Sequence, residues 1–352
     1  MFCLFLLFFQ TICFTQKAVI DTEINMSIDD KLILWRENML KEIDRYQQLD
    51  KSFSQIKKQT LNPLKSVRER NLYLAKWVLA RLEAKEIHDT LSVDSLHFSK
   101  RILAFQKRHM LKETGKWTEK LISLILSDII LTQKKLRNSI RRLDAVVMKK
   151  GSLVYINIPD YSLHYYDTTG TEILKCAVIV GKPSWKTMTM QSQIDNIVFC
   201  PFWNVPESIL KKEILSLMRK NPNYLKENRM EWFQGRLRQK PGIDNSLGLI
   251  KFNFNNPFHI YLHDTPGKSN FKKQKRAFSH GCIRLSCVDD LAMLLLDKKQ
   301  DWIDARKGEC NQGKEKKFNV EKETMILVTY LTSWVDDLGR VQVRDDIYGW
   351  DK

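Results

Sequence analysis

Apolar residues recur every three or four positions through much of the first half of the chain, as on the buried face of an α-helix. This pattern predicts a helical region over residues 25–148. The Asn62-Pro63 pair interrupts it, because proline cannot continue a helix interior. The predicted buried faces consist of Leu32, Trp35, Met39, Ile43 and Tyr46; Leu74, Val78 and Leu82; Ile102 and Phe105; Leu121, Leu124 and Ile125; and Leu136, Ile140, Leu143 and Val147.

The period of the hydrophobic pattern changes to two near residue 150, which we take as a domain boundary. Short alternating runs, separated by turn residues, predict a mainly antiparallel sheet. These runs cover residues 153–158, 162–166, 173–180, 196–200, 249–254, 258–263 and 325–331.

Two helical patterns interrupt the predicted sheet. Residues 206–240 are polar, charged and helical in pattern, which predicts an inserted subdomain, and Val288–Leu296 predicts a helix that Ser286 caps. The predicted fold class is therefore α+β, with an N-terminal helical region followed by a mainly antiparallel β domain that contains a helical insertion.

The charge of the chain favours anionic surroundings. Its 352 residues include 58 basic and 41 acidic side chains, for a net charge of +17. The basic residues are scattered in short pairs, such as Lys57-Lys58 and Arg141-Arg142, and no zinc-finger spacing or aromatic RNA-binding signature accompanies them. Nucleic-acid binding is therefore the weaker interpretation, and we expect no nucleic-acid partner.

The first residues and the cysteines bear on the compartment. An apolar run of about 14 residues begins the chain, a length typical of a secretory signal core, so residues 1–16 are predicted to be a signal peptide. Cys3 and Cys13 would leave with it, and five cysteines would remain. Their spacing does not resemble a disulfide framework, and Cys176 and Cys200 are predicted to be small buried residues.

The strongest chemical signal joins His263 to the segment Ser279-His280-Gly281-Cys282-Ile283-Arg284. A thiol attacks acyl carbons as the thiolate and needs a nearby base, which His263 provides if its strand returns to Cys282. Gly281 permits a sharp turn, and the amides of Gly281 and Cys282 are then placed to form an oxyanion hole. If Cys282 pairs with His263, its thiolate is expected well below about pH 8.5.

A zinc site was the competing interpretation of this segment. His263, His280, Cys282 and Cys287 are all residue types that bind Zn²⁺, but their spacing is not that of a zinc knuckle and no second cysteine pair follows. We therefore expect neither a metal nor an organic cofactor.

The segment from His263 to Arg284 resembles the signature of L,D-transpeptidases with a YkuD-type catalytic domain. The resemblance extends over residues 150–349 and is closest to the large periplasmic branch of that family. Further matching motifs are Asn157-Ile158-Pro159-Asp160-Tyr161, Val180-Gly181-Lys182-Pro183, Pro201-Phe202-Trp203-Asn204-Val205-Pro206, Trp334 to Arg340 and Arg344 to Gly349.

The resemblance implies a role for each matching residue. Cys282 is the nucleophile, His263 the general base and the backbone of Gly281 part of the oxyanion hole. It also implies substrate contacts; the residues concerned are Arg284, His280, Ser279, Trp203 and Tyr261. Residues 206–240 would be the capping subdomain of that branch. Two readings stay open: Arg284 binds a carboxylate of the substrate or pairs with a structural acid, and His280 contacts substrate or simply packs.

Part of the helical region, within residues 60–130, weakly resembles peptidoglycan-binding three-helix modules. The matching residues are Phe105, Gln106, His109, Leu111, Gly115 and Thr118, whereas Met110 stands where such modules usually have glycine. The resemblance is compatible with glycan binding or with a scaffold that no longer binds.

These observations predict an exported cysteine L,D-transpeptidase that links peptidoglycan stem peptides, as donor and acceptor, through 3–3 cross-links. It would reside in the periplasm or cell envelope, with peripheral envelope association. The alternatives are an L,D-carboxypeptidase, in which water accepts the same acyl group, and a non-catalytic cell-wall binding protein.

Overall fold

The computed structural model describes residues 27–59, 66–82, 95–147 and 150–352, and these form two compact units. One unit contains residues 150–329, and the other contains residues 30–147 together with residues 330–352. The predicted signal peptide, with Cys3 and Cys13, lies outside the described residues.

The helical unit has the predicted amphipathic helices. The periodic apolar positions Met39, Tyr46, Leu79 and Ile125 are at most 1% exposed. Val147 lies beyond the last helix and is exposed, so it is not part of the predicted buried face. The helices are α1 (Ile28–Gln59), α2 (Val67–Leu82), α3 (Ser95–Arg108) and α4 (Glu119–Asp144).

The C-terminal segment packs in the helical unit, which differs from the predicted catalytic boundary at residue 349. Arg142 on α4 donates hydrogen bonds to the backbone oxygens of Tyr330 and Trp350, each at 2.8 Å, and forms an ion pair with Asp351. Lys135 donates to the backbone oxygen of Arg344 at 2.6 Å. Two basic side chains of one helix therefore hold this segment. The hydrophobic pattern of the sequence could not predict these contacts, because the residues concerned lie far apart in the chain.

The β unit contains most of the strands and confirms the predicted α+β class. In chain order they are β1 (Ser152–Asn157), β2 (Ser162–Tyr166), β3 (Glu172–Gly181), β4 (Met190–Phe199), β5 (Trp203–Asn204), β6 (Met230–Phe233), β7 (Arg236–Gln239), β8 (Ile250–Phe254), β9 (Leu262–His263), β10 (Ala277–Ser279), β11 (Ile283–Leu285), β12 (Lys316–Asn319) and β13 (Thr324–Thr329). The short strands β14 (Ser333–Val335) and β15 (Val341–Val343) pair with each other in the helical unit.

The main strands form two sheets that share β3 and β4. The first sheet has the order β3-β2-β1-β13-β4, and the second has the order β3-β11-β9-β8-β4, with β12 also paired to β4. Most pairs are antiparallel as predicted, but β1–β13, β9–β11 and the pairing of β10 with β3 are parallel. The inner residues of both sheets, such as Ile156, Phe252 and Leu262, are fully buried.

The predicted insertion is present, but it is not wholly helical. Helical residues 207–227 comprise α5 (Glu207–Ile209), a π-helical turn (Leu210–Ile214), α6 (Leu215–Lys220) and α7 (Tyr224–Glu227). They pack on a three-stranded sheet of order β5-β7-β6, around a small core of Val205, Ile214, Met230 and Leu237. We call residues 203–240 the insertion.

Two further helices follow β11: α8 (Val288–Leu296) and α9 (Gln300–Gly308). The bounds of α8 agree with the prediction, but its cap does not. Cys287 occupies the N-cap position, and the hydroxyl of Ser286 instead accepts a hydrogen bond from the amide of Ala177 on β3. No helix in the described part of the chain is long and apolar enough to cross a membrane.

Two disulfides correct the expectation that Cys176 and Cys200 are merely buried. Cys176 on β3 is bonded to Cys287, and Cys200 after β4 is bonded to Cys310. The bonded cysteines are 111 and 110 residues apart in the sequence, so neither pair could be predicted from a local spacing motif. Among the cysteines that the structure describes, Cys282 alone is free.

The long loop closed by the Cys200–Cys310 bond predicts a substantial loss of stability on its removal. We expect the Cys200→Ser, Cys310→Ser double variant to lose about 2–4 kcal/mol of unfolding free energy in urea, because its unfolded chain is less restricted. Cys282→Ser is the control and should change stability little. A peptide map of the unreduced protein in which Cys200 and Cys310 are unlinked would contradict the pairing.

Candidate active site

The register of three neighbouring strands brings charged side chains together. Lys251 on β8 pairs with His263 on β9, and His263 pairs with Arg284 on β11. Laterally paired residues project from the same face of a sheet. His263 is therefore flanked on both sides by cations, one from each neighbouring strand.

Cys282 lies immediately before β11, next to this row. The amide of the following residue, Ile283, donates to the backbone oxygen of Tyr261 at 3.1 Å, which sets Cys282 beside Tyr261. Hydrogen bonding from Tyr261 and the charges of Lys251 and Arg284 act to lower the pKa of the thiol. The structure thus brings Tyr261, His263 and Arg284 together with Cys282, as the sequence predicted, and adds Lys251, which it did not.

A buried hydroxyl fixes the turn before the nucleophile. Gly281 has a φ of +113°, a conformation that disfavours other residues. Thr187 is fully buried; its hydroxyl accepts from the amide of Gly181 at 2.9 Å and donates to the carbonyl of Gly281 at 2.7 Å. Thr187 therefore ties the end of β3 to the turn that presents Cys282.

Ser279 and Gly281 are used differently from the prediction. The hydroxyl of Ser279 donates to the backbone oxygen of Cys282 at 2.5 Å and accepts from the amide of Gly281 at 3.1 Å. Ser279 is only 2% exposed, so it stabilises the turn and does not present its hydroxyl to a substrate. Because the Gly281 amide is already bonded, it is not a free oxyanion donor here.

His263 is neutral in this environment. Burial lowers its pKa to about 3, with a further contribution from Arg284; the backbone of Asp264 and Leu247 opposes the shift, and Lys251 adds to it. An imidazolium between two cations and away from water is unfavourable. The ring is therefore in the form that can accept a proton.

The burial of Cys282 and His263 in this structure opposes the predicted ion pair between them. Burial raises the pKa of Cys282, although hydrogen bonds from Tyr261 and the charges of Lys251 and Arg284 act in the opposite direction. The expectation of a thiolate well below about pH 8.5 is wrong for this conformation, because it assumed a charged imidazole as partner.

Asp264 stabilises the backbone around His263. Its carboxylate accepts hydrogen bonds from the amide of Leu249 at 3.0 Å and of Thr265 at 2.7 Å, and it pairs with Lys268. Gly248 lies against this carboxylate, where a Cβ would be 2.3 Å from its oxygen. The side chain of Asp264 thus holds the loop before β8, whereas the Nδ1 of His263 is buried and has no hydrogen-bond partner among the described residues.

His280 joins the loop before Cys282 to the insertion. Its Nε2 lies 2.6 Å from a carboxylate oxygen of Glu213 in the π-helical turn, and its ring packs edge-on against Trp185 at 5.2 Å. Lys212 in turn lies 4.5 Å from the Trp185 ring. These contacts give His280 a packing role and do not place it against the thiol.

Trp203 belongs to the insertion as well. It pairs with Gln239 in the small sheet, and it packs against the core of the insertion. The side chain of Trp203 is partly exposed, and its contact with substrate stays a prediction.

Three of the residues that resemble a peptidoglycan-binding module, Phe105, Gln106 and His109, are buried in the helical unit. Gln106 accepts from the amides of Thr114 and Gly115 at 2.8 and 3.0 Å. His109 stacks on Phe105 with ring centroids 4.0 Å apart, and its Nε2 lies 3.1 Å from Asp128. These side chains therefore contribute to the packing of the helical unit.

Metal ligation by the cysteines of this segment is limited by the disulfide. Cys287 is bonded to Cys176 and does not offer a thiolate. Within residues 27–59, 66–82, 95–147 and 150–352, no cluster of three or more His, Cys, Asp or Glu side chains is arranged to hold a metal ion.

Comparison with known proteins agrees with this geometry. Residues 151–299 match the family model described as the YkuD L,D-transpeptidase catalytic domain. A protein of Haemophilus influenzae named "Putative L,D-transpeptidase" is 34% identical over 221 residues, which is 56% of this chain and 44% of that protein. The chain thus spans less than half the length of this relative.

Solved structures with detectable similarity include an L,D-transpeptidase from Mycobacterium smegmatis, at 14% identity over 51% of this chain and 58% of that one, with a TM-score of 0.28. Another is an L,D-transpeptidase from Stackebrandtia nassauensis, at 16% identity over 72% of this chain and 88% of that one, with a TM-score of 0.27.

The site therefore contains a free thiol at a glycine turn, a neutral histidine on the neighbouring strand and a partly buried arginine. All of these groups lie within residues 151–299, the part of the chain that is similar to the YkuD L,D-transpeptidase catalytic domain.

The two hydrogen bonds of Thr187 predict that its hydroxyl is needed for both stability and reactivity. Thr187→Val keeps the shape but leaves the Gly181 amide and the Gly281 carbonyl unpaired, so we expect a loss of about 2–4 kcal/mol in urea unfolding. Alkylation of Cys282 should also slow, because the turn is no longer fixed. Thr187→Ser keeps the hydroxyl and should resemble the unmodified protein; equal losses in both variants would show that the methyl group, not the hydroxyl, matters.

Proposed function

We propose that this protein is an exported peptidoglycan L,D-transpeptidase that forms 3–3 cross-links through a thioester on Cys282. Its donor would be a tetrapeptide stem, whose third residue is usually diaminopimelate, and its acceptor the side-chain amine of a second stem. The observation that supports this most strongly is the free thiol of Cys282 beside a neutral His263, within the part of the chain that is similar to the YkuD catalytic domain.

In the first half-reaction, His263 takes the proton of the Cys282 thiol and the sulfur attacks the carbonyl carbon between the third residue and D-Ala. The C–S bond forms, the C–N bond breaks, and the proton passes to the departing amine of D-Ala. The low pKa of His263 favours this transfer, because an imidazolium flanked by Lys251 and Arg284 gives up its proton readily.

In the second half-reaction, the amine of the acceptor stem attacks the thioester carbon. Neutral His263 takes a proton from the attacking amine, the new C–N bond forms, the C–S bond breaks, and the sulfur recovers its proton. If water attacks instead, the same thioester gives a tripeptide, which is the carboxypeptidase outcome. Both routes share the first half-reaction, so the choice depends on which nucleophile reaches the acyl-enzyme.

The amide of Cys282 is the proposed oxyanion donor. The neighbouring Gly281 amide is bonded to Ser279, whereas the Cys282 amide has no acceptor among the described residues. An amide at the nucleophile itself faces the carbonyl oxygen as the C–S bond forms. We therefore assign the Cys282 amide as one donor of the oxyanion hole and do not assign the Gly281 amide as the second.

Arg284 is proposed to bind a carboxylate of the donor stem. Its guanidinium is partly buried, its Nε has no hydrogen-bond partner, and no ion pair joins it to an acid in the described part of the chain. The alternative role of Arg284, an ion pair that stabilises the fold, would require an acidic partner, and the described residues provide none. An unpaired buried guanidinium is instead suited to a carboxylate that arrives with the substrate.

The two disulfides support an extracytoplasmic location. Structural disulfides persist in oxidising compartments such as the bacterial periplasm and are uncommon in the cytosol. Cys176, Cys200, Cys287 and Cys310 are all paired, and among the described cysteines only Cys282 is a free thiol. We therefore propose that the protein acts in the periplasm or cell envelope, in agreement with the predicted signal peptide.

Product analysis tests the proposed reaction. Purified protein and Cys282→Ala are each incubated with disaccharide-tetrapeptide, and the products are identified by mass spectrometry. We expect Cys282-dependent dimers that have lost one D-Ala, and no turnover by Cys282→Ala. Thr187→Ser serves as a control that retains the active-site hydrogen bonds.

Each other result has a definite meaning. Tripeptide without dimers would replace the transpeptidase with an L,D-carboxypeptidase. Unchanged substrate with folded, disulfide-bonded protein would contradict both activities and favour a cell-wall binding protein.

A further inference from the structure

Lys251 is a cation without an evident structural task. It lies within β8, is only partly exposed, and forms no ion pair with any described residue. Glu315 is the one acid whose charge affects it, and that carboxylate is exposed and accepts a hydrogen bond from the amide of Phe202. Burial lowers the pKa of Lys251, because removing an ammonium group from water is unfavourable. The presence of a lysine at this position therefore calls for a functional explanation.

The side chain of Lys251 lies against Tyr261, the residue whose backbone is bonded next to Cys282. Its ammonium nitrogen is 4.1 Å from the centre of the Tyr261 ring, and hydrogen bonding from Tyr261 acts to lower the pKa of Cys282. A cation over an aromatic face withdraws electron density and makes a phenol a stronger donor. Lys251 thus acts on the sulfur in two ways, through its own charge and through Tyr261.

The charges around the thiol show why a second cation is needed. Lys251 comes from β8, Tyr261 and His263 from β9, and Arg284 from β11; no acid is among the groups that dominate the thiol's electrostatics. Until it accepts the thiol proton, neutral His263 supplies no positive charge to the sulfur. That charge comes from Lys251 and Arg284.

We propose that Lys251 is a positioning residue that stabilises the Cys282 thiolate, directly and through Tyr261. His263 accepts the thiol proton, whereas Lys251 keeps its own protons and exchanges none. The inference rests on the proposed function only in taking Cys282 as the nucleophile.

The assignment separates two tasks that one ion pair usually combines. His263 moves the proton, and the two cations hold the negative charge that remains on sulfur. Removing Lys251 leaves the base and its hydrogen bonds in place, so the defect should appear in thiolate formation and in attraction of anionic reagents.

The test measures alkylation of Cys282 in the free, disulfide-bonded protein between about pH 6.5 and 9.5, the range around a free thiol pKa. Neutral iodoacetamide reports the thiolate, and anionic iodoacetate also reports the local positive charge. The variants are Lys251→Met, which removes the charge, and Lys251→Arg, which keeps it. Lys317→Met is the matched control, because Lys317 lies on β12 in the same register row but is exposed.

We expect Lys251→Met to slow iodoacetamide alkylation near pH 7.5 by about tenfold, to move the pH profile upward, and to lower the iodoacetate-to-iodoacetamide rate ratio. Lys251→Arg should restore all three quantities, and Lys317→Met should leave them unchanged. Urea unfolding of each variant verifies that the protein is folded.

An unchanged profile in folded Lys251→Met would overturn the proposal, as would equal effects of Lys251→Met and Lys317→Met. A loss in Lys251→Arg as large as that in Lys251→Met would also overturn it, since it would indicate packing. Alkylation needs no peptidoglycan, so its outcome is independent of whether the transpeptidase reaction is observed.

Discussion

The lateral alignment of Lys251, His263 and Arg284 on three adjacent strands is the constraint on which the site depends. It sets a base between two cations in a buried position, and this keeps the imidazole neutral. The same alignment leaves the nucleophile beside positive charge without a charged histidine. Proton transfer and charge stabilisation are therefore assigned to different side chains, and a one-residue shift of β9 would turn His263 to the opposite face and abolish both.

The rest of the β unit keeps this alignment in place. β3 and β4 each belong to both sheets, so the strands of the site are fixed from two sides. Thr187 joins the end of β3 to the Gly281 turn, and the Cys176–Cys287 bond joins β3 to the residues after β11. The segment that carries the nucleophile is thus held by the Thr187 hydroxyl before Cys282 and by the disulfide after β11, while His280 and Glu213 connect its loop to the insertion.

Periodicity and local motifs predicted the helical region, the mainly antiparallel sheet, the insertion and the group of Tyr261, His263, Cys282 and Arg284. These signals lie within a few residues or within one recognisable motif. Lys251 could not be identified, because strand register is not readable from a single sequence, and the disulfides join cysteines 110 and 111 residues apart. The predicted roles of Ser279 in substrate binding and of Gly281 in the oxyanion hole did not take into account that the Gly281 amide donates a hydrogen bond to the Ser279 hydroxyl.

The protonation state of His263 is the most direct test of this account. Selective ¹⁵N labelling of histidine, with and without Cys282→Ser, allows the ring nitrogens of His263 to be followed by NMR as the pH is lowered. The account predicts that His263 stays neutral well below the usual histidine pKa of about 6.5, in both proteins. A ring that is charged near neutral pH in the unmodified protein, and becomes neutral when Cys282 is replaced, would show a thiolate–imidazolium pair and contradict it.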